Sequence, residues 1–158
     1  MNIEETPVPP GTYLADFVAR EGHYTDCFTA PGKTATLPQF ITAFYTQPLF
    51  RAERLVLRAT AGARSTDEQV RALASGEIND FAVWKVHSRS NTEILLEDIQ
   101  SNRTLSWLST AGGLHFGSVV RPVRNRRGQL VLGPVFDALL SAHKLYSRAL
   151  LAGAARRV

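Results

Sequence analysis

Apolar positions in this chain alternate with a period of two in some stretches and recur at helical spacing in others, and the switches between the two mark its elements. Residues 1–11, with Glu4, Glu5, Pro7, Pro9 and Pro10, follow neither period and read as an extended N-terminal arm. Thr12 to Ala19 puts Tyr13, Leu14, Phe17 and Val18 on one side of a short helix or turn. His23 to Ala30 is rich in aromatic and β-branched residues, and Pro31-Gly32 ends it as the first strand. Tyr24, Asp26, Phe28 and Ala30 form its more apolar face, which is expected to point inward and to carry Asp26 with it. A carboxylate facing a core is paired, hydrogen-bonded or part of a site.

Helical spacing takes over at Leu37, Phe40, Ile41, Phe44 and Tyr45, with Thr36 as cap and Pro38 in the first turn, until Gln47-Pro48 breaks it. A second helix, Leu49 to Ala61, places Leu55, Val56 and Ala59 inside and Arg51, Arg54 and Arg58 outside. Ser65-Thr-Asp-Glu68 is a capping signature for a third helix through Ala74. From Asp80 the period returns to two. Strands over Asp80–Arg89, Thr92–Asp98, Arg103–Thr110 and Leu114–Arg124 are joined by turns short enough for an antiparallel meander.

Gly133-Pro134 opens a last helix that runs to Arg157. Val135, Phe136, Leu139, Leu140, His143, Tyr146, Leu150 and Gly153 fall in one arc of it, with Asp137, Ser141, Lys144 and Arg148 opposite. At 1.5 Å rise per residue it is roughly 36 Å long. It is the only element long enough to cover a five-stranded sheet with a single apolar face. The expected fold is therefore α+β, one domain over residues 12–158, with a curved antiparallel sheet wrapped around the C-terminal helix. In that arrangement Phe136→Ala or Leu139→Ala would cost about 3 kcal/mol.

Composition adds limits. With 158 residues, 44% of them apolar and 20% charged, the chain can bury a sizeable core. Its net charge of +4 permits an anionic partner without requiring one. Cys27 is the only cysteine, so an internal disulfide and a cysteine-based metal site are excluded, which fits a cytoplasmic protein. No signal peptide and no run of about 18 apolar residues for a membrane span appears.

The candidate chemistry is sparse. His23, His87, His115 and His143 show no helical zinc spacing, so no metal and no cofactor is expected. Gly32-Lys-Thr34 matches the end of a phosphate-binding loop, but the first glycine of that pattern falls on Cys27. Cys27 has no basic neighbour beyond His23 and reads as a strand residue rather than a nucleophile. Arg51, Arg54 and Arg58, with Arg121, Arg124, Arg126 and Arg127, lack the interleaved exposed aromatics of a nucleic-acid surface and read as solvated faces. They leave an arginine-rich interaction module as one alternative. Trp84, Trp107, Phe116, His143 and Tyr146 are the expected lining of a cavity between sheet and helix, with Asp26 approaching it. In an enzyme, His143 would be the general acid or base, with Asp26 or Tyr146 orienting it or polarising a carbonyl.

Several runs carry a resemblance: His23-Tyr-Thr-Asp-Cys-Phe28, Phe44-Tyr45 with Pro48-Leu-Phe-Arg51, Phe116-Gly-Ser-Val119, and His143-Lys-Leu-Tyr-Ser-Arg148. With the element order, they resemble an uncharacterised bacterial family of the START and Bet v 1-like (SRPBCC) superfamily, from about residue 22 onward. The resemblance implies a helix-grip fold with a possible cavity between sheet and helix. Members of that superfamily bind lipids, sterols, polyketides or other apolar molecules, and some act as cyclases or hydrolases. It implies no catalytic pattern for these positions, because fold does not fix function.

Overall fold

The computed structural model describes residues 2–62 and 64–158, with all their side chains except those of Glu53, Val56, Leu57, Thr60 and Ala61. Strand β1 (Glu4–Glu5) and the short helix α1 (Ala15–Val18) precede β2 (Tyr24–Ala30). Three helices follow: α2 (Leu37–Thr46), α3 (Pro48–Ala61) and α4 (Asp67–Ser75). The meander is β3 (Asp80–Phe81), β4 (Trp84–Arg89), β5 (Glu93–Asp98), β6 (Thr104–Ser109) and β7 (Leu114–Val120). A small hairpin, β8 (Val123–Arg124) with β9 (Leu130–Val131), leads into α5 (Pro134–Ala155).

Local chemistry accounts for the boundaries. Thr36 and Gln39 form a reciprocal capping box on α2, as Thr66 and Gln69 do on α4. The second box sits one residue later than the expected Ser65 start. The expected single strand over 80–89 is instead a hairpin, turned at Ala82 in the left-handed region (φ 54°), with a bulge between Val86 and Ser88. The sheet therefore has seven antiparallel strands rather than five, in the order β1-β2-β7-β6-β5-β4-β3. The last long meander strand folds back beside the first, with Asp26 opposite Ser118 and Cys27 opposite Gly117.

The central strands β2, β7, β6 and β5 are buried on both faces, where one was expected. On the helical side, Phe28, Ile94, Leu96, Leu108 and Phe116 pack against α2, α4 and α5. On the other side, Cys27, Leu95, Leu105, Trp107 and Val119 pack against Leu14 and Phe17 of the N-terminal segment. Gly117 makes that second layer possible. A Cβ there would stand 2.4 Å from Leu14 Cδ2 and 2.7 Å from the Asp26 carbonyl oxygen, so only glycine lets the segment come so close.

The terminal helix shares its covering role and does not match the expected arc. Val135 and Leu139 are 69% and 57% exposed, while Ser147, Leu150, Leu151, Ala154 and Ala155 are buried. Only the C-terminal half is sealed, packing on β2, β7 and α2. Gln47 locks that half in place: its Nε2 donates to the carbonyls of Leu150 (2.8 Å) and Phe44 (3.0 Å). A Cβ at Gly153 would lie 1.9 Å from Gln47 Oε1, so the contact requires glycine. A similar correction applies to α3, where Leu55 is 66% exposed and Ala59 is exposed. Phe50 is its buried anchor, and the side chain of Val56 lies outside the described residues. Arg54, expected outside, is half-buried, and its guanidinium donates to Asp67 and to the Ser65 carbonyl.

Candidate functional site

Asp26 is the buried polar centre of the helical side. Its strand is inward-facing at 24, 26, 28 and 30, and pairing with β7 brings the Ser118 N–H to its Oδ1 at 2.9 Å. The Tyr24 hydroxyl, two residues back on the same face, donates to Oδ2 at 3.0 Å. His143 Nε2 reaches the same Oδ2 at 2.9 Å from the middle of α5. The Asp26 side chain is 1% exposed and that of His143 31%. The carboxylate thus lies in the interior and the imidazole at its boundary. With Nε2–H donated to Asp26, the basic nitrogen of a neutral His143 is Nδ1. Burial, and then the adjacent Asp26 charge, pushes the Tyr24 hydroxyl far above its ordinary pKa, so it stays a donor.

Beside this group lies a cavity of about 180 Å³ between sheet and helices. Its walls are Phe44, Tyr45 and Phe50 from α2 and α3, Trp84, Ser106 and Phe116 from the sheet, and His143, Tyr146, Ser147 and Leu150 from α5. On the outside an apolar groove formed by Val120, Val123, Leu132, Phe136 and Leu139 reaches the same His143 and Thr104. His143 therefore stands where the inner cavity and the outer groove meet.

Of the residues expected from sequence, Trp84, Phe116, His143 and Tyr146 line the cavity, and Asp26 bonds to His143 behind it. Trp107 does not. It is fully buried on the opposite face, where its Nε1–H donates to Glu93 at 2.7 Å. Strand alternation explains the correction: Trp107 points the same way as Gly117 and Cys27, away from α5. Ser147 and Tyr24 were overlooked in the sequence. Ser147 lies four residues after His143 on the helix, and Tyr24 lies two before Asp26 on the strand, so both spacings were available.

The remaining candidates sit elsewhere. His23 and His87 both pack near Phe17, and His115 is buried on the Trp107 side. His115 Nδ1 is 2.9 Å from Thr29 Oγ1 and its Nε2 is 3.1 Å from the Ala111 carbonyl. Burial pushes its pKa down and keeps it neutral. Burial likewise raises the Cys27 thiol, which makes it a weaker nucleophile. Among the described residues no three His, Cys, Asp or Glu side chains gather in a metal-binding cluster. No described helix is long and apolar enough to cross a membrane. Arg51 and Arg54 both pair with Asp67, and Arg121 pairs with Glu97, so part of the arginine surface is neutralised internally. The Arg54 hydrogen bond leads in holding the Asp67 carboxyl below its usual range.

No protein-family model, curated protein or solved structure matches this chain.

Proposed function

We propose that this chain is a helix-grip protein of the START and Bet v 1-like superfamily, acting in the cytoplasm, which binds a small apolar or amphipathic molecule between its sheet and C-terminal helix. The observation that carries this function is the aromatic-walled cavity bordered by His143. Ligand sites are typically apolar clefts with a few placed polar groups. A volume of about 180 Å³ is below the drug-sized range, and an apolar cavity of about 150 Å³ takes up benzene. The ligand portion held inside is therefore about one ring with a short substituent. The outer groove offers further apolar surface to an amphipathic ligand that extends past His143.

Titration with small aromatic compounds, followed by NMR of the Phe116 and Tyr146 rings, tests this. Shifts confined to cavity residues and abolished by Ser106→Leu, which would occupy the space, are expected. Unmoved cavity resonances throughout the panel would overturn the assignment.

A second function, a small-molecule enzyme of cyclase or hydrolase type, is favoured by one observation: the 2.9 Å contact from His143 to buried Asp26. A base oriented by a buried carboxylate is a recurring catalytic arrangement. Hydrolysis of p-nitrophenyl acetate should then fall by about 10²-fold or more in His143→Gln. An unchanged rate would remove that role. The arginine-rich interaction module has less support, because three of its arginines already hold internal ion pairs.

A further inference from the structure

Two residues of the cavity lining each hold a buried polar atom with no hydrogen-bond partner among the described residues: Trp84 at Nε1 and Ser147 at Oγ. Buried polar groups are almost always paired, because leaving one unmatched costs about 1–3 kcal/mol. Trp107 obeys that rule through Glu93, whereas the indole N–H of Trp84 does not. Trp84 Nε1 is a donor only, so what it lacks is an acceptor. Ser147, 1% exposed, is a second lining residue whose hydroxyl is unmatched.

The charge of the missing acceptor also follows. No lysine or arginine lines the cavity, and its one imidazole, His143, already has the Asp26 carboxylate as a partner through Nε2. A carboxylate drawn inside would face aromatic walls without a counter-ion, which is strongly unfavourable.

We propose that the ligand presents a neutral carbonyl oxygen at its buried end, and that Trp84 Nε1–H, with the Ser147 hydroxyl, receives it. This rests on the ligand-binding function proposed above and specifies its chemical class: a small ring or short chain bearing a ketone, ester or related carbonyl, rather than a plain hydrocarbon or an acid. The orphaned donor then acts as the selector. A site built to donate a hydrogen bond discriminates against an analogue that cannot accept one.

Acetophenone and α-methylstyrene differ only in oxygen against CH₂ and form a matched pair of probes, with benzoate as the anionic arm. The chain contains two tryptophans, so a ¹H–¹⁵N spectrum carries two indole cross-peaks, and Trp84→Phe assigns them. Acetophenone should move the Trp84 cross-peak downfield and leave that of Trp107 in place. α-Methylstyrene should shift the Phe116 and Tyr146 rings without that downfield indole change, and benzoate should bind more weakly than acetophenone. The ratio of acetophenone to α-methylstyrene affinity should fall roughly tenfold in Trp84→Phe. An indole cross-peak that responds alike to both neutral probes, or an unchanged ratio in the variant, would overturn the carbonyl assignment and leave ligand binding intact. Benzoate binding as tightly as acetophenone would overturn its neutral character. Silence of all three probes at Trp84, Phe116 and Tyr146 would overturn ligand binding and the carbonyl assignment with it.

Discussion

Trp107 and Trp84 stand on opposite faces of one sheet, and their surroundings differ in kind. Trp107 is fully enclosed, its N–H is matched to Glu93, and Glu93 in turn accepts the Tyr13 backbone N–H at 3.1 Å. The N-terminal segment is stitched over that face by Leu14, Phe17 and these bonds. Trp84 is only partly buried, its N–H is unmatched among the described residues, and it borders open volume. Both faces are apolar, so hydrophobicity alone does not separate them. Polar matching does. A face whose donors and acceptors are paired internally is a sealed core, and a face that leaves them unpaired beside a cavity has room for an external partner.

The comparison is tested most strongly by truncation. Trp107→Ala should destabilise the protein by about 4 kcal/mol, because it removes a fully buried ring and the indole hydrogen bond to Glu93, leaving that carboxylate with the Tyr13 N–H. Trp84→Phe, which deletes an unmatched donor while keeping a ring, should stay within about 0.5 kcal/mol of the parent. Urea denaturation measures both. Equal losses in the two variants would mean that the faces are sealed alike.

The two halves of α5 give the next contrast. Leu151, fully buried, should cost about 3 kcal/mol when cut to alanine, whereas Leu139, 57% exposed, should cost less than about 0.5 kcal/mol. If Leu139→Ala proved as damaging as Leu151→Ala, the N-terminal half of the helix would be covered in solution.

How much of this was legible in the sequence follows from what each element depends on. The period of two in β2 was enough to turn Asp26 inward, and helical spacing was enough to send His143 toward the interior, because both depend on local geometry. The burial along α5 was not legible. Helical period assigns an angle to Val135 and Leu139 but says nothing about how far along the axis the sheet and α2 extend beneath them. Trp107 was misplaced for a related reason. Its side of β6 is set by register against β7, and its neighbours Leu14 and Phe17 are far away in sequence. A residue that owes its surroundings to a distant segment cannot be placed from its own stretch of chain. Gly117 held the clue, since a glycine within an apolar strand often marks a close approach of another segment.

The smallest expected effect concerns His115, a titratable group enclosed on the sealed face. Burial lowers its pKa in the folded state, so between its folded and unfolded values the native protein binds fewer protons than the unfolded chain. Stability then rises with pH across that window. Its contribution is complete above about pH 6.5, the ordinary histidine value, and declines as pH falls toward the folded pKa. His115→Gln retains a donor for the Ala111 carbonyl but cannot titrate, so it should show a shallower acid-side decline in urea midpoint than the parent. The two proteins differ at this one side chain, so the difference between their curves reports His115. Parallel curves would mean that His115 protonates as easily folded as unfolded, and the enclosure of the Trp107 face would then be looser than its packing indicates.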